Sequence, residues 1–172
     1  MSISLEKIVL SQLNELHDIS IQTFEETFAN QNTSENMQWY FENAMNIDCI
    51  RKELLHPNSY FYWATHQNQT IGYLKLNFNE AQSEMVLNNE AFEIERIYIK
   101  NEFQGNGFGS ELFTLALRLG SEKGYKKLWL GVWEHNQKAL AFYKRKGLVP
   151  FDQHLFQLGD DPQTDILMQL EF

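Results

Sequence analysis

Three glycines at alternate positions lie between a strand-like and a helix-like segment near the middle of the chain. The stretch IERIYIKNEFQGNGFGSELF, residues 94–113, reads as a β-strand that enters the glycines and continues as a helix. Gly105, Gly107 and Gly109 follow Gln104. A tight turn needs one or two residues of this kind, so three of them predict that a ligand lies against the backbone here.

Two common phosphate-binding patterns do not fit this stretch. The dinucleotide fingerprint needs a third glycine three residues after Gly107, where the chain has Ser110, and no Gly-Lys-Ser/Thr follows as a P-loop requires. What remains is Gln-x-x-Gly-x-Gly between a strand and a helix. Unobstructed glycine N–H groups and the partial positive charge of a helix N-terminus together favour a pyrophosphate. A tight strand–helix turn without a ligand is the alternative interpretation.

The composition favours one packed domain over residues 1–172. The chain is long enough for a single core, and it contains neither an internal repeat nor a Pro/Ser-rich linker. Cys49 is the single cysteine, so an intramolecular disulfide is excluded, and the N-terminus does not resemble a signal peptide. No apolar run approaches the ~18 residues that a membrane span requires. These features predict a cytoplasmic protein without a membrane partner.

The net charge of −9 argues against nucleic acid as a partner. The charge is also unevenly distributed. The segment from Ile8 to Ile50 has seven acidic residues and no Lys or Arg, whereas the segment from Lys100 to Gly147 has nine basic residues against four Glu. Two interpretations stay open: solvated faces that happen to segregate, or an N-terminal site for a cation and a later site for an anion.

Hydrophobic periodicity predicts alternating strands and helices in the middle of the chain but not at its ends. Helices are predicted from Leu13 to Phe28 after a Ser11 cap and at 34–45, 48–55, 107–123 and 136–146. Strands are predicted at 3–10, 60–66, 70–78, 92–100, 126–133, 148–157 and 164–171. This order indicates a mixed α/β sheet that is only partly parallel.

The glycine stretch resembles motif A of the Gcn5-related N-acetyltransferases, the GNAT superfamily. In that family Gln-x-x-Gly-x-Gly follows a β-strand and holds the pyrophosphate of acetyl-CoA. Residues 130–148 resemble the family's later motif, since a strand is followed by Asn136, by a helix carrying Tyr143 and by Gly147. The two motifs occur in the family's order and together cover residues 92–148.

Further stretches resemble the PaiA-type bacterial acetyltransferases, a group similar in activity to the spermidine/spermine N-acetyltransferases. They are FEETFANQNTSENM (24–37), AQSE (81–84), IERIYIKN (94–101), WLGVWEHN (129–136) and GDDPQTDILM (159–168). The resemblance implies an α/β (α+β) GNAT fold, in which a mixed, mostly antiparallel twisted sheet of six or seven strands is flanked by helices. Splayed strands would form the acetyl-CoA cleft.

The resemblance further implies acetyl transfer from acetyl-CoA, by direct attack, to a primary amine of a polyamine such as spermidine or spermine. The partner would be a small cationic amine, with acetyl-CoA as co-substrate. A protein N-terminal or other small-amine acetyltransferase is one alternative, and a non-catalytic acyl-CoA-binding module is another. From superfamily habit we expect a homodimer with the C-terminal strand as its contact. The five histidines and Cys49 lack metal-ligand spacing, so no metal is expected.

Two residues are predicted to be catalytic by the same resemblance. Glu95 would act as a water-linked base, because polyamine nitrogens are largely protonated at neutral pH. The alternative is that Glu95 pairs with Arg96 or another surface charge. Strict alternation puts Glu93 and Glu95 on one face, although a β-bulge of the kind common in this family would break that parity. Tyr143 would protonate the departing thiolate, and a core tyrosine is the alternative.

The resemblance implies donor binding at three places. Backbone groups of the β-strand would bond the pantetheine arm, N–H groups of the glycine stretch would take the pyrophosphate, and the 136–146 helix would add an Asn and a Lys. These residues are Ile97, Tyr98, Ile99, Gln104, Gly105, Asn106, Gly107, Phe108, Gly109, Ser110, Asn136 and Lys146. For Lys146 a solvated lysine is the alternative. His154, Trp133 and Tyr40 are weighed as residues that border the amine site, with a structural role preferred for His154.

Overall fold

The computed structural model describes residues 2–172, which form one seven-stranded sheet with helices on both faces. The strands are β1 (Ser4–Lys7), β2 (Ser59–His66), β3 (Gln69–Asn77), β4 (Phe92–Ile99), β5 (Lys127–Trp133), β6 (Val149–Leu158) and β7 (Asp161–Glu171). The α-helices are α1 (Leu13–Phe28), α2 (Ser34–Asn43), α3 (Ile47–Leu55), α4 (Phe108–Glu122) and α5 (Gln137–Arg145). Within residues 2–172, no helix has the length and apolar character needed to cross a membrane.

The sheet is mixed and mostly antiparallel, as predicted. Its strand order is β1-β2-β3-β4-β5-β7-β6. Every neighbouring pair runs antiparallel except β4 and β5, which are parallel because α4 connects them as a crossover. The predicted alternation of strand and helix is thus confined to the stretch from β4 to α5.

The parallel strands β4 and β5 part soon after they meet. They pair through Phe92 with Leu128 and through Glu93 with Trp129, and no later residue of either strand joins the pairing. β4 continues to Ile99 and β5 to Trp133, so a gap opens between them. This divergence confirms the splayed strands expected from the resemblance, and it leaves one edge of β4 available to an extended ligand.

Two apolar cores lie on the opposite faces of the sheet. One includes Leu112, Phe113 and Ala116 of α4, and the other includes Leu16 of α1 and Ile50 of α3. Each fully buried Leu, Ile or Phe side chain stabilises the fold by roughly 1.5–3 kcal/mol. The helical spacing read along α1 is confirmed, because Leu13, Leu16, Ile19, Thr23 and Phe24 are its buried residues, together with Ser20.

Several element boundaries differ from the prediction: β1 spans only Ser4–Lys7 of the predicted 3–10, and three others differ for a local reason. Ser11 does not cap α1, because residues 10–12 form a 3₁₀ turn and the helix begins after Gln12. α2 ends at Asn43, since the side chain of Asn46 accepts a hydrogen bond from the Cys49 N–H and starts α3. The last hairpin is tighter than expected: β7 begins at Asp161, directly after a turn in which Gly159 has φ +63°.

Candidate functional site

The glycine stretch forms an open loop at the N-terminus of α4. Gly105 and Gly107 have φ values of +83° and +82°, and Gly107 is the N-cap of the helix. A Cβ built on Gly105, Gly107 or Gly109 would meet no atom within 4 Å. Turn geometry accounts for the first two glycines but not for Gly109, which lies inside the helix. An open approach to the backbone accounts for all three.

The N–H groups in the first turn of α4 have no acceptor within the helix, and the helix dipole favours an anion there. Lys146, at the end of α5, reaches this turn and contacts the hydroxyl of Ser110. The loop therefore joins free donors, positive charge and unobstructed backbone, which is the arrangement that suits a pyrophosphate. The interpretation of these glycines as a mere turn is the weaker one.

The side chains of Gln104, Asn106 and Phe108 support the loop. Gln104 donates through Nε2 to the Ile99 carbonyl at 3.0 Å and accepts from Lys138 Nζ at 2.9 Å. Asn106 donates to the Phe103 carbonyl at 3.2 Å. The Phe108 side chain is buried in the core against the ring of His66, 4.8 Å away between centroids. The Phe108 side chain is therefore out of reach of a ligand, and that residue can contribute only its backbone.

The gap between β4 and β5 opens between the glycine loop, which follows β4, and α5, which follows β5. Ile97, Tyr98 and Ile99 form the end of β4, beyond its last pairing with β5. Asn136 caps α5 by accepting from the Ala139 N–H at 3.1 Å, so its amide NH₂ is the group that can contact a ligand.

Tyr143 is buried on α5, beside Phe113 and Phe142. Burial raises the pKa of Tyr143 above its ordinary value of 10, which keeps the phenol protonated at neutral pH. The predicted core position and the predicted proton donor are therefore compatible: the ring packs in the core and its hydroxyl remains a donor.

A cavity of about 230 Å³ lies on the other face of β4, under α1 and α2. Aromatic residues are the largest group in its wall, namely Phe24, Phe28, Tyr40, Tyr98, Trp129, Trp133 and Phe156. Tyr40 and Trp133, weighed from the sequence as neighbours of an amine site, both line it. Its ionisable residues are Glu93, Glu95, Arg96, His154 and Asp165. The cavity thus offers aromatic faces and carboxylates together.

A β-bulge in β4 directs Glu95 towards this cavity. β3 pairs Leu76 with Ile94 but Lys75 with Arg96, so Glu95 is the extra residue. Glu95 and Arg96 both line the cavity as a result, although they are adjacent in sequence. The expectation of a bulge is confirmed and its position is now known.

Glu95 belongs to a cluster of four charged side chains. It contacts Lys75 and lies 3.5 Å from Arg96, and Glu53 pairs with the same two bases at 3.2 and 2.9 Å. Burial alone would raise the pKa of Glu95, but the charges of Lys75 and Arg96 outweigh it and hold the pKa at about 2. A carboxylate with so low a pKa is a weak proton acceptor at neutral pH. The alternative pairing with Arg96 is present, within a network that also includes Lys75.

Glu93 is buried in the same wall but behaves differently. Burial raises the pKa of Glu93, as does the nearby charge of Glu95. Donors from Ser83 and Asn77 oppose that rise, including the Ser83 N–H at 2.7 Å and Asn77 Nδ2 at 3.0 Å. Asn77 also donates to Glu95, so one amide bridges the two carboxyl groups.

Several residues of the site were missed from the sequence. Glu53, Lys75 and Asn77 were not singled out, and His154 was preferred as a structural histidine although it lines the cavity. Lys75 carried a usable signal, because it is a lone basic residue inside the apolar strand TIGYLKLNF and is only 4% exposed. A buried lysine requires a paired anion, which would have directed attention to neighbouring carboxylates.

Comparisons with known proteins agree with this geometry. The acetyltransferase (GNAT) family description matches residues 13–148. An uncharacterized N-acetyltransferase from the pepI 3′ region of Lactobacillus delbrueckii subsp. lactis is 44% identical over 157 residues, which cover 91% of this chain and 90% of that protein.

Two comparisons involve Thermoplasma acidophilum. Its spermidine N(1)-acetyltransferase is 22% identical over 176 residues and covers 100% of this chain and 99% of its own. The crystal structure of the PaiA N-acetyltransferase in complex with coenzyme A has a TM-score of 0.79 at 20% identity, covering 100% of both chains. That likeness shows a common fold. With a family match over most of its length and the donor cleft described above, the chain belongs to the GNAT family and is an acetyl-CoA-dependent N-acetyltransferase.

Proposed function

We propose that this enzyme acetylates a primary amine of a polyamine such as spermidine or spermine. The observation that carries the proposal is the cavity under α1 and α2, whose wall contains both aromatic rings and carboxyl groups. Aromatic faces attract alkylammonium groups, and carboxylates pair with them. The apolar wall also suits the methylene segments between the nitrogens. The name of the Thermoplasma relative, a spermidine N(1)-acetyltransferase, supports the same acceptor class.

The acidity of the N-terminal segment is not what makes this cavity attractive to a cation. The segment from Ile8 to Ile50 contributes apolar and aromatic side chains to the wall, namely Phe24, Phe28, Tyr40 and Met45. Its carboxylates are mostly on the outer surface. The carboxyl groups of the cavity come from β4 and β7 instead, which favours the interpretation of the N-terminal acidity as solvated faces.

In the proposed reaction the amine nitrogen attacks the thioester carbonyl carbon, the C–S bond breaks, and Tyr143 protonates the thiolate. The N–H groups of the glycine loop hold the pyrophosphate, and the free edge of Ile97–Ile99 bonds the pantetheine arm as an added strand would. A main-chain N–H near Ile97 polarises the thioester carbonyl. Glu95 acts as a fixed negative charge that attracts the substrate cation, because its low pKa suits that role better than proton transfer.

Replacing Lys146 with Met is expected to raise the KM for acetyl-CoA by roughly 5- to 10-fold with little change in kcat, because one charge near the pyrophosphate is lost. The effect should shrink as ionic strength rises. Lys144→Met, on the exposed side of the same helix, is the matched control and should leave KM within about 2-fold. Equal KM values for the two variants would show that Lys146 is only a solvated lysine.

The proposed function is tested by the release of free CoA thiol from acetyl-CoA. The acceptors are spermidine, spermine, putrescine and a peptide with a terminal Lys. We expect saturable turnover with spermidine or spermine, and mass spectrometry should show one added acetyl group. Turnover with the peptide alone would mean that the acceptor is a protein amine and not a polyamine.

Three further expectations stay predictions: a cytoplasmic location, a single domain over 1–172, and self-association through the C-terminal strand. Met1 lies outside the described residues.

A further inference from the structure

The proposed acceptor must lose a proton before its nitrogen can attack. Alkylamines have pKa values near 10, so at neutral pH the incoming substrate is an ammonium ion without a lone pair. The ion-paired Glu95 is a weak proton acceptor. Glu93 is only 3% exposed and is enclosed by donors from Ser83 and Asn77, so it has no direct path to solvent. The chemistry requires a different route for the proton.

Three ionisable side chains form a chain from the cavity wall to the surface. Asp165 of β7 lines the cavity, and its Oδ2 lies 3.2 Å from Nε2 of His154 on β6. The opposite ring nitrogen, Nδ1, contacts Oε1 of Glu84, in the loop before β4. The exposed fractions of these side chains are 19% for Asp165, 22% for His154 and 41% for Glu84. The imidazole thus joins a carboxyl group in the cavity to a carboxylate in solvent.

We propose that Asp165, His154 and Glu84 are the path by which the acceptor ammonium releases its proton. The inference rests on the proposed function only for the choice of acceptor. The ammonium N–H bond breaks, and the proton passes through Asp165 to Nε2 of the His154 imidazole. The resulting imidazolium donates its two N–H groups to Asp165 and Glu84, and one proton then leaves through Glu84 to water. One proton is released for each acetyl group transferred, and the reaction involves no oxidation or reduction.

The surroundings of His154 fit this role. Imidazole is the side chain most used for proton transfer near neutral pH. The ionisable groups that line the cavity with it are Asp165 on β7, Glu93, Glu95, Arg96 and Tyr98 on β4, and Tyr40 on α2, while Glu84 contacts it from the loop. Burial raises the pKa of Asp165, and the charge of Glu84 adds to that rise, against the hydrogen bond from His154. Asp165 is therefore better suited than Glu95 to hold a proton in transit. Among the described residues, no group of three such side chains is arranged to hold a metal ion.

The test is the pH dependence of kcat/KM for His154→Gln with the best amine acceptor. We expect a loss of at least ~10-fold at pH 7, because a proton acceptor contributes to the rate, and a defect that shrinks to under about 3-fold near pH 10, where the free amine no longer needs one. A defect that stays constant from pH 7 to pH 10 would mean that His154 only shapes the cavity, and it would overturn the proposal.

The controls separate this role from folding and from substrate identity. His17→Gln, on the outer part of α1 beside Asp18, should keep the wild-type profile. An unchanged Kd for acetyl-CoA shows that the His154 variant is folded. If the His154 variant does not fold, Glu84→Gln at the exposed end of the path is used instead. It should lower kcat/KM less, but with the same dependence on pH. If the wild type acetylates only a non-polyamine, the proposed acceptor fails, yet the same profile on that amine still decides the proton path. Absence of turnover with every amine would overturn both.

Discussion

Tyr143→Phe is expected to lower kcat by roughly 10²-fold, because the departing thiolate loses its proton donor. Burial raises the pKa of Tyr143, so the phenol is protonated across the neutral range and carries the proton that the proposed role needs. Phe keeps the ring contacts with Phe113 and Phe142, so the core of α5 should be retained. The measurements are steady-state kinetics together with the Kd for acetyl-CoA and the Tm, both of which should change little.

The matched control is Tyr125→Phe. That substitution also removes one hydroxyl, which donates to Asn79 Oδ1 at 3.0 Å beyond the far end of α4. We expect wild-type kcat for it. If Tyr143→Phe retained full kcat, the hydroxyl would have no part in the reaction and Tyr143 would be a core residue alone.

Glu95→Gln is expected to lower the free energy of unfolding at pH 7 by about 3 kcal/mol. The estimate follows from the pKa of Glu95, which falls from the ordinary 4.5 to about 2 on folding, at about 1.4 kcal/mol per unit. A folded-state pKa below the unfolded one means that the ionised carboxylate stabilises the fold fully above about pH 4.5. That stabilisation is lost as the pH falls towards 2, when the carboxyl is protonated and no longer attracts Lys75 and Arg96.

Urea denaturation of wild type and variant between pH 7 and pH 3 measures this effect directly. The difference in unfolding free energy between wild type and variant should be largest at pH 7 and should decrease below about pH 4.5. Glu122→Gln removes an exposed partner of Arg118, 3.3 Å away, and is expected to cost under about 0.5 kcal/mol. If Glu95→Gln lowered the free energy of unfolding as little as this control does, or by an amount that does not change with pH, the result would contradict the low pKa of Glu95.

Local signals in the sequence were sufficient for most of the fold. The strand–glycine–helix order around Gly107 and the helical spacing of Leu13, Leu16 and Ile19 are properties of short segments, and both are confirmed. The residues expected to bind the donor could be named from the sequence for the same reason, because an anion cradle at a helix N-terminus needs only consecutive residues.

The acceptor side could not be predicted in the same way, because it depends on pairing between distant segments. The bulge at Glu95 exists only relative to the register of β3, and nothing in residues 92–99 alone shows where the extra residue falls. The charge cluster unites Glu53 of α3, Lys75 of β3 and two residues of β4. Likewise, His154 meets a carboxylate 70 positions earlier in the chain, so its neighbours are known only from the tertiary structure.

The short pairing between β4 and β5 has a mechanical consequence. Two adjacent residue pairs are all that join these strands, so the two halves of the sheet meet along a short seam at Phe92 and Glu93. Glu93 and its partner Trp129 also line the cavity proposed for the acceptor. A change in the angle between the two strands would therefore alter the width of the gap and the shape of the cavity wall together. A ligand that changes this angle from one side would change the affinity for a ligand on the other side, and by thermodynamic reciprocity the second would affect the first by the same factor.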